Sequence, residues 1–262
     1  MTTEFNQDRN ALVRTEQPLR DIKTSGSAEI AGGEYGEIHV SGSARYSGDI
    51  SCRELHTSGS LKGEGSITVA EDLHVSGSCK CAGNVTASEV HVSGSATVDG
   101  AISCAEELHI SGAVRCRSIA AKEVKVSGRV ETVGDVEGDF VKLSGGGTIG
   151  GLLNAENIEI RADNNLVSGT KLFIGSIGGS TIRVLLSGGG FFRRAVGRNH
   201  RFAPFLVTES IEGDDLELDT VRTVRVSGRD VVIHSGCEIK TVEYSGTLTV
   251  DEGAEVGETV KL

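Results

Sequence analysis

The chain has 262 residues, with 36 glycines, 2 prolines, no tryptophan and only 4% aromatic residues. So few large rings argue against a thick globular core, which draws on aromatic anchors, whereas a thin core of stacked Val, Ile, Leu, Ala and Cys does not need them. The formal net charge of −11 argues against binding nucleic acid along the surface, and no apolar run reaches the roughly 18–20 residues that span a membrane.

Residues 1–20 are polar, mixed in charge and aperiodic, with Pro18 near their end. They lack the charged-then-apolar order of a secretion signal, so a cytoplasmic protein is expected. The stretch reads as a flexible tail, since termini are loose unless tied down. Phe5, Leu12 and Val13 are its apolar candidates for a docking role.

From residue 21 one phrase keeps returning. It reads Ile38-His39-Val40-Ser41-Gly42, then Leu55-His56-Thr57-Ser58-Gly59, Leu73-His74-Val75-Ser76-Gly77, Val90-His91-Val92-Ser93-Gly94 and Leu108-His109-Ile110-Ser111-Gly112. Val124-Lys125-Val126-Ser127-Gly128 and Val141-Lys142-Leu143-Ser144-Gly145 continue it. The serines at 25, 41, 58, 76, 93, 111, 127 and 144 are 16 to 18 residues apart. Such self-similarity marks a solenoid, whose length is its number of repeats.

The unit from Val90 shows the coil. Val90 and Val92 alternate with His91, Ala96 and Val98 with Thr97, and Ile102 and Cys104 with Ser103. Alternation signals strands, and the intervening Gly, Ser, Asp and Glu clusters signal corners. Three strands and three corners in about 17 residues describe one triangular coil of an all-β parallel β-helix, with coils about 4.8 Å apart. Coils of unequal length and sides of unequal chemistry depart from the strict hexapeptide rhythm of left-handed helices. A right-handed coil is therefore expected, the usual hand of parallel crossovers. The corner glycines serve either positive φ or close backbone approach. Ser41, Ser58, Ser76, Ser93, Ser111, Ser127 and Ser144 are expected to hydrogen-bond from coil to coil.

The β-helix is read over 21–190, with an insertion of roughly nine residues near Asp163-Asn164-Asn165. Residues 191–209 break the pattern, and 210–262 continue the same solenoid through Ser227-Gly228 and Ser245-Gly246. Val224-Arg225-Val226-Ser227-Gly228 reads as the phrase come back. About 13 coils are expected, a rod of roughly 60 Å at strand spacing.

Candidate sites follow from the in-and-out pattern. Cys52, Cys79, Cys81, Cys104 and Cys116 point inward and read as buried thiols. Cys79-Lys80-Cys81 has no second pair at finger spacing, so no metal site is assigned. His39, His56, His74, His91 and His109 hold one outward position in five successive coils. They form a surface ladder of imidazoles, continued by Lys125 and Lys142, whose close spacing resists joint protonation. The plain reading is a solvated face repeated with the coil. The sharper ones are a pH-sensitive lateral contact and adventitious Zn²⁺ or Ni²⁺ binding.

The interruption carries Phe191, Phe192, Arg193, Arg194, Arg198, Arg201, Phe202 and Phe205 with no acid from 191 to 205. Cationic and aromatic together, it suits an anionic membrane surface or an acidic partner, against the plainer reading of a loop laid over the coil. Asp163 and Asp214-Asp215 are the carboxylates available to a polysaccharide lyase, and they are far apart in sequence. There is no nucleophile–base pair, dinucleotide fingerprint or Walker loop, so no catalytic residue or cofactor is assigned.

Ser-Gly-punctuated coils of about 17 residues with polar ends resemble the bactofilins, bacterial polymer-forming cytoskeletal proteins. The resemblance covers about residues 21–262. Ile211-Glu212-Gly213-Asp214-Asp215-Leu216-Glu217-Leu218, Val231-Val232-Ile233 and Gly236-Cys237-Glu238-Ile239 are similar to longer Gram-positive members. The resemblance implies a right-handed β-helix that stacks end to end into nucleotide-independent filaments. These would lie on the inner face of the cell membrane and scaffold cell shape, wall synthesis or motility. The implied partners are further copies of the chain, the inner membrane surface and membrane or cell-wall proteins. The chain departs from shorter members in having about twice their coils and the break at 191–209, and its tail lacks an apolar anchor, which shifts attachment to the loop.

A β-helix end exposes unpaired backbone groups, and no amphipathic capping helix is legible at either end. Ile22, Ile30 and Ile38 in front, and Leu248, Val250, Val256, Val260 and Leu262 behind, are the expected assembly contacts. The competing reading is a non-polymerising adaptor that binds a partner through the loop or the histidine face.

Overall fold

A computed structural model describes residues 19–163, 171–187 and 204–262. Most of the N-terminal tail, Asn164 and Asn165, and the loop residues Phe191, Phe192, Arg193, Arg194, Arg198, Arg201 and Phe202 lie outside these residues. Among the described residues every regular element is a strand. The 26 strands, from Ile22 to Lys261, form one continuous parallel sheet wound into a solenoid of about 13 coils.

One column of side chains records the winding. Ile22, Ile38, Leu55, Leu73, Val90, Leu108, Val124, Val141, Ile158, Ile182, Leu216, Val231 and Leu248 are register partners in unbroken series. The eleven inner members are buried, while the end members Ile22 and Leu248 are only partly so. A second side stacks Ile50, Ile67, Val85, Ile102, Ile119 and Val136 in the same way. Each such side chain removed from water contributes about 1.5–3 kcal/mol. Between Glu54 and Thr132 this long thin core is assembled from strands of two to four residues, none of which could stand alone.

The steps along the first column stay at 16 to 18 residues as far as Ile158, then lengthen to 24 before Ile182 and 34 before Leu216. These long steps contain residues 164–170 and 188–203, and the same partners meet again beyond them. The solenoid resumes at the strand Leu206–Leu218, a few residues ahead of the expected 210. The returning phrase at 224–228 sits elsewhere than its sequence implies. Val226 pairs with Ile211, in the column of Ile177, whereas the column of Val126 and Leu143 continues to Ile233 and Val250. The phrase encodes a short strand and a tight corner, and any side of the coil can use one.

At the Ser-Gly corner the backbones of successive coils approach closely. Ser93 and Gly94 both donate backbone N–H groups to Val75 O, at 2.9 and 3.1 Å, and Ser95 donates to Gly77 O at 2.9 Å. Gly42, Gly59, Gly77, Gly94, Gly112, Gly128 and Gly145 stack one over another. At each, a Cβ would collide with the carbonyl oxygen of the glycine in the preceding coil. None of the seven has a positive φ, so close approach, not left-handed backbone, fixes glycine here. The expected serine ladder is mostly a ladder of backbone bonds. Of the seven serines of that ladder, only Ser127 and Ser144 send their hydroxyls to the coil before, to Ile110 O and Val126 O at 3.5 and 3.3 Å.

All six cysteines are buried and none forms a disulfide. Burial pushes the thiols of Cys52, Cys79, Cys104 and Cys116 up to about 12, which keeps them protonated and inert. Tyr46, the one large ring inside the N-terminal coils, fits because Gly63 in the next coil leaves room for it, and its hydroxyl donates to Gly65 O at 3.0 Å.

Gly94→Ala should therefore destabilise the fold by about 1–3 kcal/mol, the usual penalty for overpacking. Gly26→Ala is the control, because a Cβ on this first-coil glycine meets nothing within 4 Å. Urea unfolding of the two variants checks this, and equal midpoints would contradict the steric argument.

Candidate functional site

The three outward sides of the N-terminal coils differ in chemistry. The first carries the histidines, which pair in register as His39, His56, His74, His91 and His109. Successive rings stack with centroids 4.9, 5.2 and 4.7 Å apart, and the last, His109, is tilted at 6.0 Å from His91. Two residues before each stands an acid, because the period of two puts both on the outward face. Glu37, Glu54 and Glu89 lie 3.3, 3.5 and 3.4 Å from their histidines, and Glu107 lies 3.6 Å from His109 Nδ1. Cations close the column. Lys23 faces Glu37 at 3.9 Å, Arg53 pairs with Glu37, Glu54 and Glu71, and Lys125 bridges Glu107 and Glu123 at 3.0 and 2.7 Å.

Near-parallel rings aim their nitrogens the same way, so neighbouring imidazoles do not converge on an ion. Among the described residues no group of three or more His, Cys, Asp or Glu is arranged to hold a metal. Glu107 and His109 on one strand and Ser111 in the corner after it place an acid, an imidazole and a hydroxyl in one line, with His109 Nε2 3.1 Å from Ser111 Oγ. Acyl chemistry there would need free donors for an oxyanion. The adjacent Ser111 and Gly112 N–H groups are both given to Val92 O.

The second side is basic. Arg45, Lys62 and Lys80 are register partners on successive coils, are exposed, and make no ion pair among the described residues. Arg115, further along, is paired to Glu131 at 2.5 Å. Toward the C-terminus the same outward column turns apolar, through Thr148, Phe173 and Val207 to Arg222. Phe173 is 46% and Val224 55% exposed, and with Lys240 they border a groove of about 520 Å³. Sequence reading missed this patch, since Phe173 is outward only once the register is known. The third side is hydroxyl-bearing, with Ser51, Thr68, Thr86 and Ser103 in register.

Of the loop residues, Phe205 is described, and it belongs to the core. It is 5% exposed, donates its N–H to Thr220 O at 3.1 Å and accepts from Leu172 N–H at 2.8 Å. That removes it from the contact set read from sequence. Ile30 and Ile38 also leave the expected end face. Ile38 is wholly buried in the second coil beneath Ile22, and Ile30 is 2% exposed. The front end instead presents Leu19, Ile22, Ala28 and Tyr35, and the rear end Tyr244, Leu248, Val250, Ala254, Val256 and Leu262. Val260 is half-buried on the last strand. Asp214 and Asp215 do not form a catalytic carboxylate pair. Arg229 sits 2.9 Å from Asp215 and 4.0 Å from Asp214, and also pairs with Asp230.

Residues 20–102 match the family model for bactofilin, described as polymer-forming and cytoskeletal. The matched segment holds the whole basic column of Arg45, Lys62 and Lys80 and the histidine column as far as His91. The uncharacterized protein YhbE of Bacillus subtilis (strain 168) is 46% identical over 59 residues, which are 22% of this chain and 25% of that protein. The uncharacterized protein YhbF of the same organism is 31% identical over 112 residues, 43% of this chain and 42% of that protein. The chain therefore spans well under half the length of these curated relatives. No solved structure matches it. Among the described residues no helix is long and apolar enough to cross a membrane.

Two histidines are set in opposite directions. Burial, then repulsion from His91 and His56, holds His74 below the ordinary 6.5. At His234 burial also disfavours charge, but Asp251 and Glu217 outweigh it and raise the imidazole above 6.5. Its Nδ1 lies 2.8 Å from Asp251 and its Nε2 3.2 Å from Glu217, so both nitrogens donate only when the ring is charged. Proton titration by NMR should place His234 above and His74 below 6.5. The His234 clamp stabilises the C-terminal coils fully below 6.5 and is lost as pH rises through its raised folded-state value. Replacing it by His234→Gln should cost about 1 kcal/mol at pH 6 and much less at pH 9. A pH-independent penalty would contradict the clamp.

Proposed function

We propose that the chain is a structural scaffold that assembles end to end into cytoskeletal filaments without nucleotide. The observation that carries this reading is the pair of open ends. Among the described residues the strands Ile22–Thr24 and Ser27–Glu34 pair on one side only, as do Leu248–Val250 and Glu255–Lys261. The apolar column runs out at both ends through half-buried Ile22 and Leu248. A parallel strand edge over a truncated core is a template for another strand edge, and a second copy offers the same spacing. The polymer-forming description of the matched family supports the same reading, and it is a structural rather than an enzymatic one.

Such a polymer would be cytoplasmic and organise shape, wall synthesis or motility machinery. Peripheral attachment to the inner membrane face is the companion proposal. It is supported by exposed Phe173 and Val224 beside Arg222 and Lys240, and by the composition of the 191–202 loop. The adaptor reading keeps the same surfaces but leaves the ends unused.

Negative-stain electron microscopy of the purified protein, without nucleotide or metal, should show filaments. Val250→Asp, which places a charge on the rear end, should leave short rods, while Thr86→Asp on the hydroxyl side should leave filaments intact. Monodisperse rods from the wild type would favour the adaptor, and long filaments from Val250→Asp would contradict assembly through this end.

A further inference from the structure

Coils of the N-terminal half carry an acid and a base at a constant offset. The pairs are Glu37 and Arg45, Glu54 and Lys62, and Asp72 and Lys80, eight residues apart in each case. A Ser-Gly corner separates each acid-bearing strand from the base-bearing strand that follows. Acid and base therefore look out from neighbouring sides of the same coil, too far round the corner to neutralise one another. Glu29 precedes Arg45 in the same column, but Arg45, Lys62 and Lys80 make no ion pair among the described residues. On the acid side, Lys23, Arg53 and Lys125 serve Glu37, Glu54, Glu107 and Glu123. Asp72 and Glu89, register partners in the middle, make no ion pair with Lys or Arg among the described residues.

We propose that the basic side of one copy docks on the acid–imidazole side of a second copy, joining rods laterally. Both columns take their spacing from the same backbone repeat, about 4.8 Å per coil. A basic column of one rod therefore stays in step with an acidic column of another. The body is strongly acidic overall, so this stripe is the place where a second copy meets attraction instead of repulsion. Ser43, Ser60 and Ser78 precede the bases by two residues on the same outward face, and these short side chains let the partner approach. Each ion pair is weak alone, but a filament repeats the set at every subunit, so the contacts add along its length.

The gain along a filament rests on end-to-end assembly, but the test reads single contacts between two copies. Isotopically labelled and unlabelled chains are mixed and treated with a zero-length carbodiimide at about 0.05 M and about 0.5 M salt. Mixed-label crosslinks should join Lys62 or Lys80 of one copy to Glu54, Asp72 or Glu89 of another at low salt, and fall at least tenfold at high salt. The triple variant Arg45→Glu/Lys62→Glu/Lys80→Glu, and separately Glu54→Lys/Asp72→Lys/Glu89→Lys, should each lose them. Mixing the two variants should restore crosslinks between the same positions. Circular dichroism confirms that both remain folded. Absence of mixed-label crosslinks in the wild type, or no restoration from folded variants, overturns the proposal. Failure of the end-to-end reading would appear instead as missing filaments with these crosslinks retained.

Discussion

The solenoid depends on how closely one Ser-Gly corner lies over the next. There the backbone of each coil rests directly on the backbone below, with two N–H groups converging on a single carbonyl and no room for a Cβ. That contact sets the vertical distance that the other two corners must follow. With the distance fixed, alternate residues fall into columns, and apolar columns become a core without large aromatic groups. The low aromatic content and the abundant glycine are two consequences of the same geometry.

Fixing the columns also fixes the surface. A residue type repeated at one position becomes a continuous line of the same chemistry along the rod. This is how five histidines become a stack, and how three bases become a stripe. The rod therefore has sides rather than sites. Its recognition chemistry is spread over several coils, where a globular enzyme would gather it into one cavity. Columns run parallel and seldom point at a common atom, and the clamp of Asp251 and Glu217 on His234 is an exception.

Much of this was legible because alternation and corner residues carry their information locally. The inward cysteines, the outward histidines and the coil length all follow from a period of two and a repeat of about 17 residues. What was not legible needs the register. The phrase ending at Ser227-Gly228 has the right words on a different side, because any of the three corners can be tight. Phe205 reads as part of a cationic loop until the strand beginning at Leu206 shows it paired and buried. Ile38 looks terminal until Ile22 is seen to lie above it. The glycines announced a constraint without saying which one, since φ and close approach leave the same mark in sequence. The apolar patch at Phe173 and Val224 depends on pairing across a long step, which no local pattern encodes.

Those long steps have a consequence of their own. Between Ile158 and Ile182, and again between Ile182 and Leu216, more residues separate successive members of the column, and the register partners still meet. The stack accepts the longer steps because the ladder needs only that successive strands meet, not that the connection be short. The two corners act as splice points in the architecture. Sequence can be lengthened, exchanged or decorated there while the rod keeps its pitch. A scaffold built this way can acquire new attachments without renegotiating its own fold.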